Sequence, residues 1–172
     1  MRISLCGEED KAAILDILND AILNTTALYD YKPRTPQMMD QWFEAKKRGD
    51  YPVIGVYGDH NELLGFATYG PFRNWPAYKY TVEHSIYVKS NSRGKGVGKI
   101  LLQEIIQFGV HQNYHVLVGG IDTSNNHSIK LHEKFGFKHS GTIEHAGFKF
   151  GKWLNLAFYQ LILSTPENPV ED

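Results

Sequence analysis

Residues Thr81–Glu104 read TVEHSIYVKSNSRGKGVGKILLQE, and three kinds of local structure follow one another within them. Thr81, Val82, Ile86, Tyr87 and Val88 are β-branched or aromatic, which predicts a strand over Thr81–Lys89. Ser90–Gly98 is a Gly/Ser-rich turn carrying the positive charges of Arg93 and Lys95. From Lys99 onward, Ile100, Leu101, Ile105 and Phe108 recur at helical spacing. A glycine-rich turn feeding a helix N-terminus gathers unpaired backbone N–H groups at the positive end of the helix dipole, an arrangement suited to phosphate.

Neither common nucleotide motif fits the turn. A Walker loop ends in G-K-[ST], but Gly98-Lys99 is followed by Ile100, so the magnesium-binding hydroxyl is missing, and Arg93 stands where the first glycine belongs. The dinucleotide fingerprint is G-x-G-x-x-G, whereas Gly94, Gly96 and Gly98 give G-x-G-x-G. The nearest acid that could bind a ribose, Asp122, lies beyond the next predicted strand.

Outward from this stretch the elements follow by pattern. Ile3–Leu5 reads as a short strand, and Gly7-Glu8-Glu9-Asp10 places acids at the start of a helix with Ile14, Leu15, Leu18, Ala21 and Ile22 on one face. Thr35-Pro36 is an N-cap followed by a first-turn proline; Met39, Trp42 and Phe43 form the buried face of that helix, and Lys46-Lys47-Arg48 its solvated basic end before Gly49. Tyr51–Tyr57 and Glu62–Tyr69 predict a hairpin about Gly58-Asp59-His60-Asn61, and Phe72–Tyr78 is an aromatic loop leading into Thr81. Beyond the glycine turn, a helix runs to about His111, and His115–Ile121 is apolar in a run, as in a strand buried on both faces. A further helix starts at Ser124 or Asn125, carries Ile129, Leu131 and Phe135, and stops at Gly136; strands over Phe137–Glu144 and Lys149–Leu163 complete the pattern. The element order is β-α-α-β-β-β-α-β-α-β-β, with residues 1–165 as one domain and 166–172 as a polar, frayed C-terminal tail.

Composition narrows the function classes. A chain of 172 residues, 42% hydrophobic and 22% charged, is ordinary for one soluble domain with a sizeable core. A net charge of −1 gives no argument for nucleic-acid binding or general membrane attraction. Cys6 is the sole cysteine, so an intrachain disulfide and a cysteine zinc cluster are excluded. No apolar run approaches about 18 residues, and MRISLCGEEDKAA lacks a signal-peptide core, so a cytoplasmic location is expected. Among eight histidines, His111 and His115 straddle a predicted helix end and His132-Glu133 does not continue to H-E-x-x-H, so no metal is expected.

The run R-G-x-G-x-G at Arg93–Gly98, after a strand, resembles the coenzyme A pyrophosphate loop of the GNAT (Gcn5-related) N-acetyltransferases. A second segment, Asn125-Asn126-His127-Ser128-Ile129-Lys130-Leu131-His132-Glu133-Lys134-Phe135-Gly136-Phe137, is similar to the family's N-x-x-S/A-x-x-L-Y/H-E-K-x-G-F pattern about 30 residues further on. Tyr69-Gly70-Pro71-Phe72-Arg73, Thr81-Val82-Glu83 and Gly147-Phe148-Lys149-x-Gly151-x-Trp153 narrow the resemblance to the phosphinothricin and methionine sulfoximine N-acetyltransferases. The resemblance implies an α/β (α+β) single-domain GNAT fold with a mixed central sheet flanked by helices. It also implies acetyl-CoA as co-substrate, a small L-amino acid or analogue acetylated on its α-amino group by direct transfer, and a homodimer. For the coenzyme it implies backbone groups of Ile86, Tyr87 and Val88, the loop Arg93, Gly94, Lys95, Gly96, Val97, Gly98 and Lys99, the Asn125 side chain on the pantetheine arm, and Lys134.

The chemistry sets further requirements. An ammonium with pKa about 8 to 10 must lose a proton before it attacks. Glu83, among Trp75, Tyr78, Tyr80 and Val82, is the candidate base, with a pKa raised by partial desolvation. By family analogy a bulge splays the Thr81–Val88 strand from the next, turning the Val88 N–H toward the thioester oxygen. His132 stands where many relatives have Tyr; it is read as a general acid for a thiol of pKa about 8.5, as a relay to Glu83, or as a helix histidine packed on Phe135. A substrate carboxylate asks for a fixed guanidinium, which points to Arg73, with Asn74, Trp75, His84, Ser85, Tyr31 and Trp153 as the remaining substrate-side residues. Two other readings stay open: a protein or peptide acetyltransferase, which needs an open groove, and a non-catalytic acyl-CoA sensor, which would not need Glu83 or His132.

Overall fold

A computed structural model describes residues 1–171; Asp172, the last residue of the expected tail, lies outside the described residues. The strands are β1 Arg2–Leu5, β2 Val53–Tyr57, β3 Leu63–Pro71, β4 Thr81–Val88, β5 Val116–Asp122, β6 Lys138–Lys149 and β7 Lys152–Ile162. The helices are α1 Lys11–Asn24, α2 Pro36–Arg48, α3 Val97–His111 and α4 Asn126–Lys134, so the element order is the expected one.

Local chemistry accounts for the boundaries. The Thr35 hydroxyl accepts from the Met38 N–H with Pro36 in the first turn, and the Asn125 side chain accepts from the Ser128 N–H, so both helices start on a satisfied cap. Gly96 precedes α3 at φ +85°, a left-handed conformation that a side chain would strain. Gly136, at φ +86°, ends α4 in the same way.

The strands form one mixed sheet in the order β1-β2-β3-β4-β5-β7-β6, in which β4 and β5 are the parallel pair and the other neighbours run antiparallel. Alternation splits the apolar side chains into two cores. On one face Ile54, Val56, Ala67, Val82, Leu117 and Ala157 pack with Val97, Leu101, Leu102 and Ile105 of α3. On the other, Val53, Tyr57, Leu63 and Phe66 pack with Ile14, Ile17 and Leu18 of α1 and Met39 of α2. Along β4, Val82, Ile86 and Val88 therefore belong to the α3 face and Tyr87 to the α1–α2 face.

Three expectations are revised. Lys46 is not part of a solvated helix end: its Nζ donates to the Tyr69 carbonyl at 2.7 Å over the faces of Trp42 and Tyr51, and burial lowers its pKa to about 8. β6 does not stop at Glu144; it resumes through Gly147–Lys149 after register shifts at His139/Gly141 and Ile143/Gly147, where polar residues and His145 at φ +52° mask the strand pattern. The segment expected to fray is tied near its end, since the Val170 N–H donates to the Tyr80 hydroxyl at 3.0 Å and that hydroxyl donates to the Val170 carbonyl at 3.2 Å. Among the described residues, no helix is long and apolar enough to cross a membrane.

Candidate active site

The site lies where β4 and β5 part. They pair from Thr81↔Val116 to His84↔Gly119 and no further, while β4 stays paired to β3 as far as Gly65↔Val88 and β5 to β7 as far as Asp122↔Leu156. The expected bulge is absent, because the β3–β4 register runs unbroken from Pro71↔Val82 to Gly65↔Val88; the opening comes from divergence of the parallel pair. Lined by Thr26–Tyr29, Glu83–Tyr87, Gly119–Asp122, Asn125, Ser128, His132 and Leu156, it forms a cleft.

Backbone alternation decides which groups of β4 face this cleft. Phe72 N–H donates to Thr81 O, and Lys89 N–H to Leu64 O, so the odd-numbered residues of β4 direct their backbone groups at β3. The N–H and C=O of Ile86 and Val88 face the opening instead. Tyr87, expected to offer backbone groups to the coenzyme, bonds toward Phe66 and packs its ring against the Phe66 ring at 5.4 Å.

Beyond Val88 the glycine loop leads into α3. Ile100 N–H makes the first intrahelical bond, to Gly96 O at 3.1 Å, which leaves Val97, Gly98 and Lys99 N–H at the open helix end. A Cβ at Gly94 or Gly96 would meet nothing within 4 Å, so the loop is open on its outer side, and both residues have positive φ. Val97 contributes backbone only, since its side chain is buried in the α3 core. Arg93 Nε lies 3.4 Å from Val88 O, and its guanidinium 3.7 Å from the Asp20 carboxylate. Asn125 Oδ1 is used in capping α4, leaving the Nδ2 hydrogens as donors at the cleft wall. Lys134 is exposed on the last turn of α4 and does not line the cleft. An anion cradle continuous with unpaired strand edges and an amide donor fits a long ligand with a pyrophosphate at one end and amides along its arm.

Two adjacent glycines make room for one polar group on each face of the sheet. A Cβ at Gly120 would stand 3.0 Å from Glu83 Oε1, and one at Gly119 would stand 3.0 Å from His84 Cε1 and 3.3 Å from His132 Nε2. A Gly-Gly pair inside an apolar strand signals close approach, and it was the available clue to both contacts. Desolvation raises the Glu83 pKa, opposed by the Arg73 charge.

His84 was placed on the substrate side by sequence; its ring instead lies on the α3–α4 face. His84 Nε2 is 2.9 Å from His132 Nε2, with Phe137 against both rings. His132 Nδ1 lies 2.7 Å from the Ser128 carbonyl, an acceptor only, so Nδ1 carries the proton. Burial lowers both imidazole pKa values, that of His84 to about 3 with His132 as a second cause, so the pair is neutral. In the neutral pair His84 Nε2–H then donates to His132 Nε2, and the Val118 backbone beside His84 offsets part of the effect of burial. Both nitrogens of His132 are thus engaged, neither by Glu83, and a neutral His132 holds no spare proton at Nε2.

Of the remaining expected substrate-side residues, Ser85 lines the cleft, whereas Arg73, Asn74, Trp75, Tyr31 and Trp153 lie outside its lining. Arg73 stacks on the Phe72 ring at 4.2 Å, donates to the Phe72 carbonyl, and acts on Glu83 electrostatically from an exposed loop shared with Asn74 and Trp75. Tyr31 and Trp153 are 70% and 59% exposed and meet around Phe148 rather than walling the cleft. Sequence reasoning missed Thr26–Tyr29, an irregular segment without a motif. It also missed Asp122 as a lining residue, whose Oδ1 accepts from the Ser124 N–H at 2.8 Å.

Among the described residues, the cleft lining holds no cysteine. Cys6 follows β1 at the sheet edge, its thiol pushed up to about 11 by burial, and Ser128 is held at the His132 end. A pyrophosphate-type loop continuous with a splayed strand, beside a desolvated carboxylate, is the arrangement of a coenzyme A-dependent acyltransferase. The sequence profile of the acetyltransferase (GNAT) family matches residues 16–137. An L-methionine sulfoximine/L-methionine sulfone acetyltransferase of Pseudomonas paraeruginosa is 43% identical over 157 residues, 91% of each chain. The structure of an N-acetyltransferase from Staphylococcus aureus Mu50 superposes with a TM-score of 0.92 at 52% identity, covering 94% of this chain and 97% of that one. That of a phosphinothricin acetyltransferase from Sinorhizobium meliloti in complex with acetyl-CoA gives a TM-score of 0.94 at 30% identity, covering 98% and 91%. The chain belongs to the GNAT acetyltransferase family.

Proposed function

We propose that the protein transfers the acetyl group of acetyl-CoA to the α-amino group of a small L-amino acid or analogue of the methionine sulfoximine, methionine sulfone or phosphinothricin type. The observation that carries this reading is Glu83, a half-buried carboxylate with a raised pKa over Gly120 at the mouth of the splayed strands, with Arg73 in electrostatic reach. Acetyl-CoA supplies an activated acyl thioester. The N–H groups of Val97, Gly98 and Lys99, with Arg93 and Lys95, hold its pyrophosphate; Ile86, Val88 and Asn125 take its amide arm, and the Val88 N–H polarises the thioester carbonyl. Glu83 accepts a proton from the ammonium while Arg73 receives the substrate carboxylate.

Proton bookkeeping removes the need for a charged acid. An ammonium that becomes an amide releases two protons; Glu83 takes one to solvent and the thiolate takes the other. His132 is assigned to the thioester end of the cleft as a neutral polar group. The proposed setting is the cytoplasm, with small molecules rather than nucleic acid as partners, residues 1–165 as the catalytic domain with 166–172 appended, and a homodimer that sedimentation would register.

The test is a thiol-release assay with methionine sulfone, methionine sulfoximine, phosphinothricin, the common L-amino acids and an alanine-terminated peptide. Release with a free amino acid or analogue and not with the peptide is expected. Release with the peptide alone makes the protein a peptide acetyltransferase, and acetyl-CoA binding without release on any acceptor makes it a sensor.

A further inference from the structure

The Gly147-Phe148-Lys149 run at the end of β6 entered the sequence reading only as part of a family pattern, and the chemistry above leaves it unused. Each of its three residues makes a separate contact with the chain that follows α1. Lys149 is 5% exposed, and its Nζ donates to the carbonyls of Ile22 at 2.6 Å, Thr25 at 2.9 Å and Leu28 at 2.6 Å. An ammonium has three hydrogens to give, and all three are placed. Ile22 O belongs to the last turn of α1, where carbonyls lack helical partners and the dipole favours a cation. The Phe148 carbonyl accepts from the Tyr31 hydroxyl at 2.7 Å. A Cβ at Gly147 would stand 2.8 Å from two carbons of the Tyr29 ring, so glycine lets that ring lie against the strand.

Residues 25–31 have no helix or strand of their own, yet Thr26–Tyr29 line the cleft together with Glu83, Ser85, Gly120 and Asp122. We propose that Lys149 is a positioning residue for the amino-acid substrate: through its three carbonyl contacts, supported by Gly147 and Phe148, it fixes residues 25–31 as the acceptor-side wall of the cleft. It touches neither reactant. The hydrogen bonds of Lys149 all go to the acceptor side, so the coenzyme side, built from β4, the glycine loop and Asn125, is expected to keep its geometry without it. The proposal rests on the amino-acid reading for the identity of the acceptor.

Lys149→Met keeps the length of the side chain and removes its donors. The Michaelis constant for the acceptor identified in the thiol-release assay is expected to rise about tenfold or more, as small misplacements of positioning groups do. The constant for acetyl-CoA is expected to stay within about twofold. Hydrogen exchange is expected to quicken in residues 25–31 and to stay unchanged in β2 and β3. Gly147→Ala leaves the lysine and both cores intact while displacing the Tyr29 ring; it gives the same split where Lys149→Met does not fold. Equal rises in both constants, or an acceptor constant unchanged in a folded variant, overturn the proposal. Hydrogen exchange needs no turnover: unchanged exchange at residues 25–31 in the folded variants sinks the positioning role whatever the acceptor. A parent protein that acetylates no amino acid sinks the functional reading alone.

Discussion

Glu83 and His84 are neighbours in sequence on opposite faces of the sheet, and that division separates the proposed base from a neutral pair. Glu83 sits over Gly120 with its pKa raised by desolvation and restrained by Arg73. A base must be ionised to act, so kcat/KM falls as pH drops through the Glu83 pKa, on an acid limb above the ordinary carboxylate value. Arg73→Ala removes the restraining charge; the limb then moves to higher pH and the acceptor Michaelis constant rises. A limb that stays in place would separate Arg73 from the site. Glu83→Gln is expected to lower turnover by about 100-fold or more, with coenzyme affinity measured by calorimetry unchanged; equal loss of both would remove it as the base.

At the scale of elements, what was legible depended on whether a feature's cause is local. Thr35-Pro36, Asn125 and the Gly94–Gly98 loop announced themselves, because caps and positive-φ glycines act within one turn of chain. Gly94 and Gly96 have open space about them, so Gly96→Ala fails by backbone strain of about 1 to 2 kcal/mol at φ +85° rather than by crowding. Titration calorimetry should show weaker coenzyme A binding with the acceptor constant little changed; undiminished affinity would mean that the loop conformation is not what holds the pyrophosphate. The roles of Lys46, His84 and Lys149 were not legible, because their partners Tyr69, His132 and Ile22 lie 23, 48 and 127 residues away. A lysine or histidine reads as solvated until the fold supplies a carbonyl or a second ring. The strand splay was expected by family analogy alone, and with a bulge as its cause; apolar runs reveal that β4 and β5 exist, but not where two strands stop pairing.

For the whole molecule, the buried imidazole pair ties stability to pH. His84 has an ordinary value of 6.5 and is held down to about 3 by burial and by His132, no other ionisable side chain contributing. Above the unfolded value both states are neutral and nothing is lost. Below it the unfolded chain binds a proton that the native state refuses, so stability falls with pH by up to about 1.4 kcal/mol per unit. Urea midpoints measured from pH 7 to pH 5 should drop accordingly, and His84→Gln should flatten that slope; an unaltered slope would place the acid sensitivity elsewhere. The divergence of β4 and β5 has a mechanical side as well. The sheet is two leaves, β1 to β4 and β5 to β7, bound along a spine of four residue pairs. On the α3 face one core runs across the spine, whereas on the α1–α2 face the core belongs to the first leaf alone. The spine is therefore backed by an apolar core on one face, while on the other, where Glu83 lies, the leaves are joined by polar contacts from Lys149 of β6 to the carbonyls at and beyond the end of α1. The last bound pair, His84 and Gly119, thus stands at the root of the opening and against His132 at once, so the bond between the two imidazoles crosses from the first leaf to the helix that follows the second leaf's first strand.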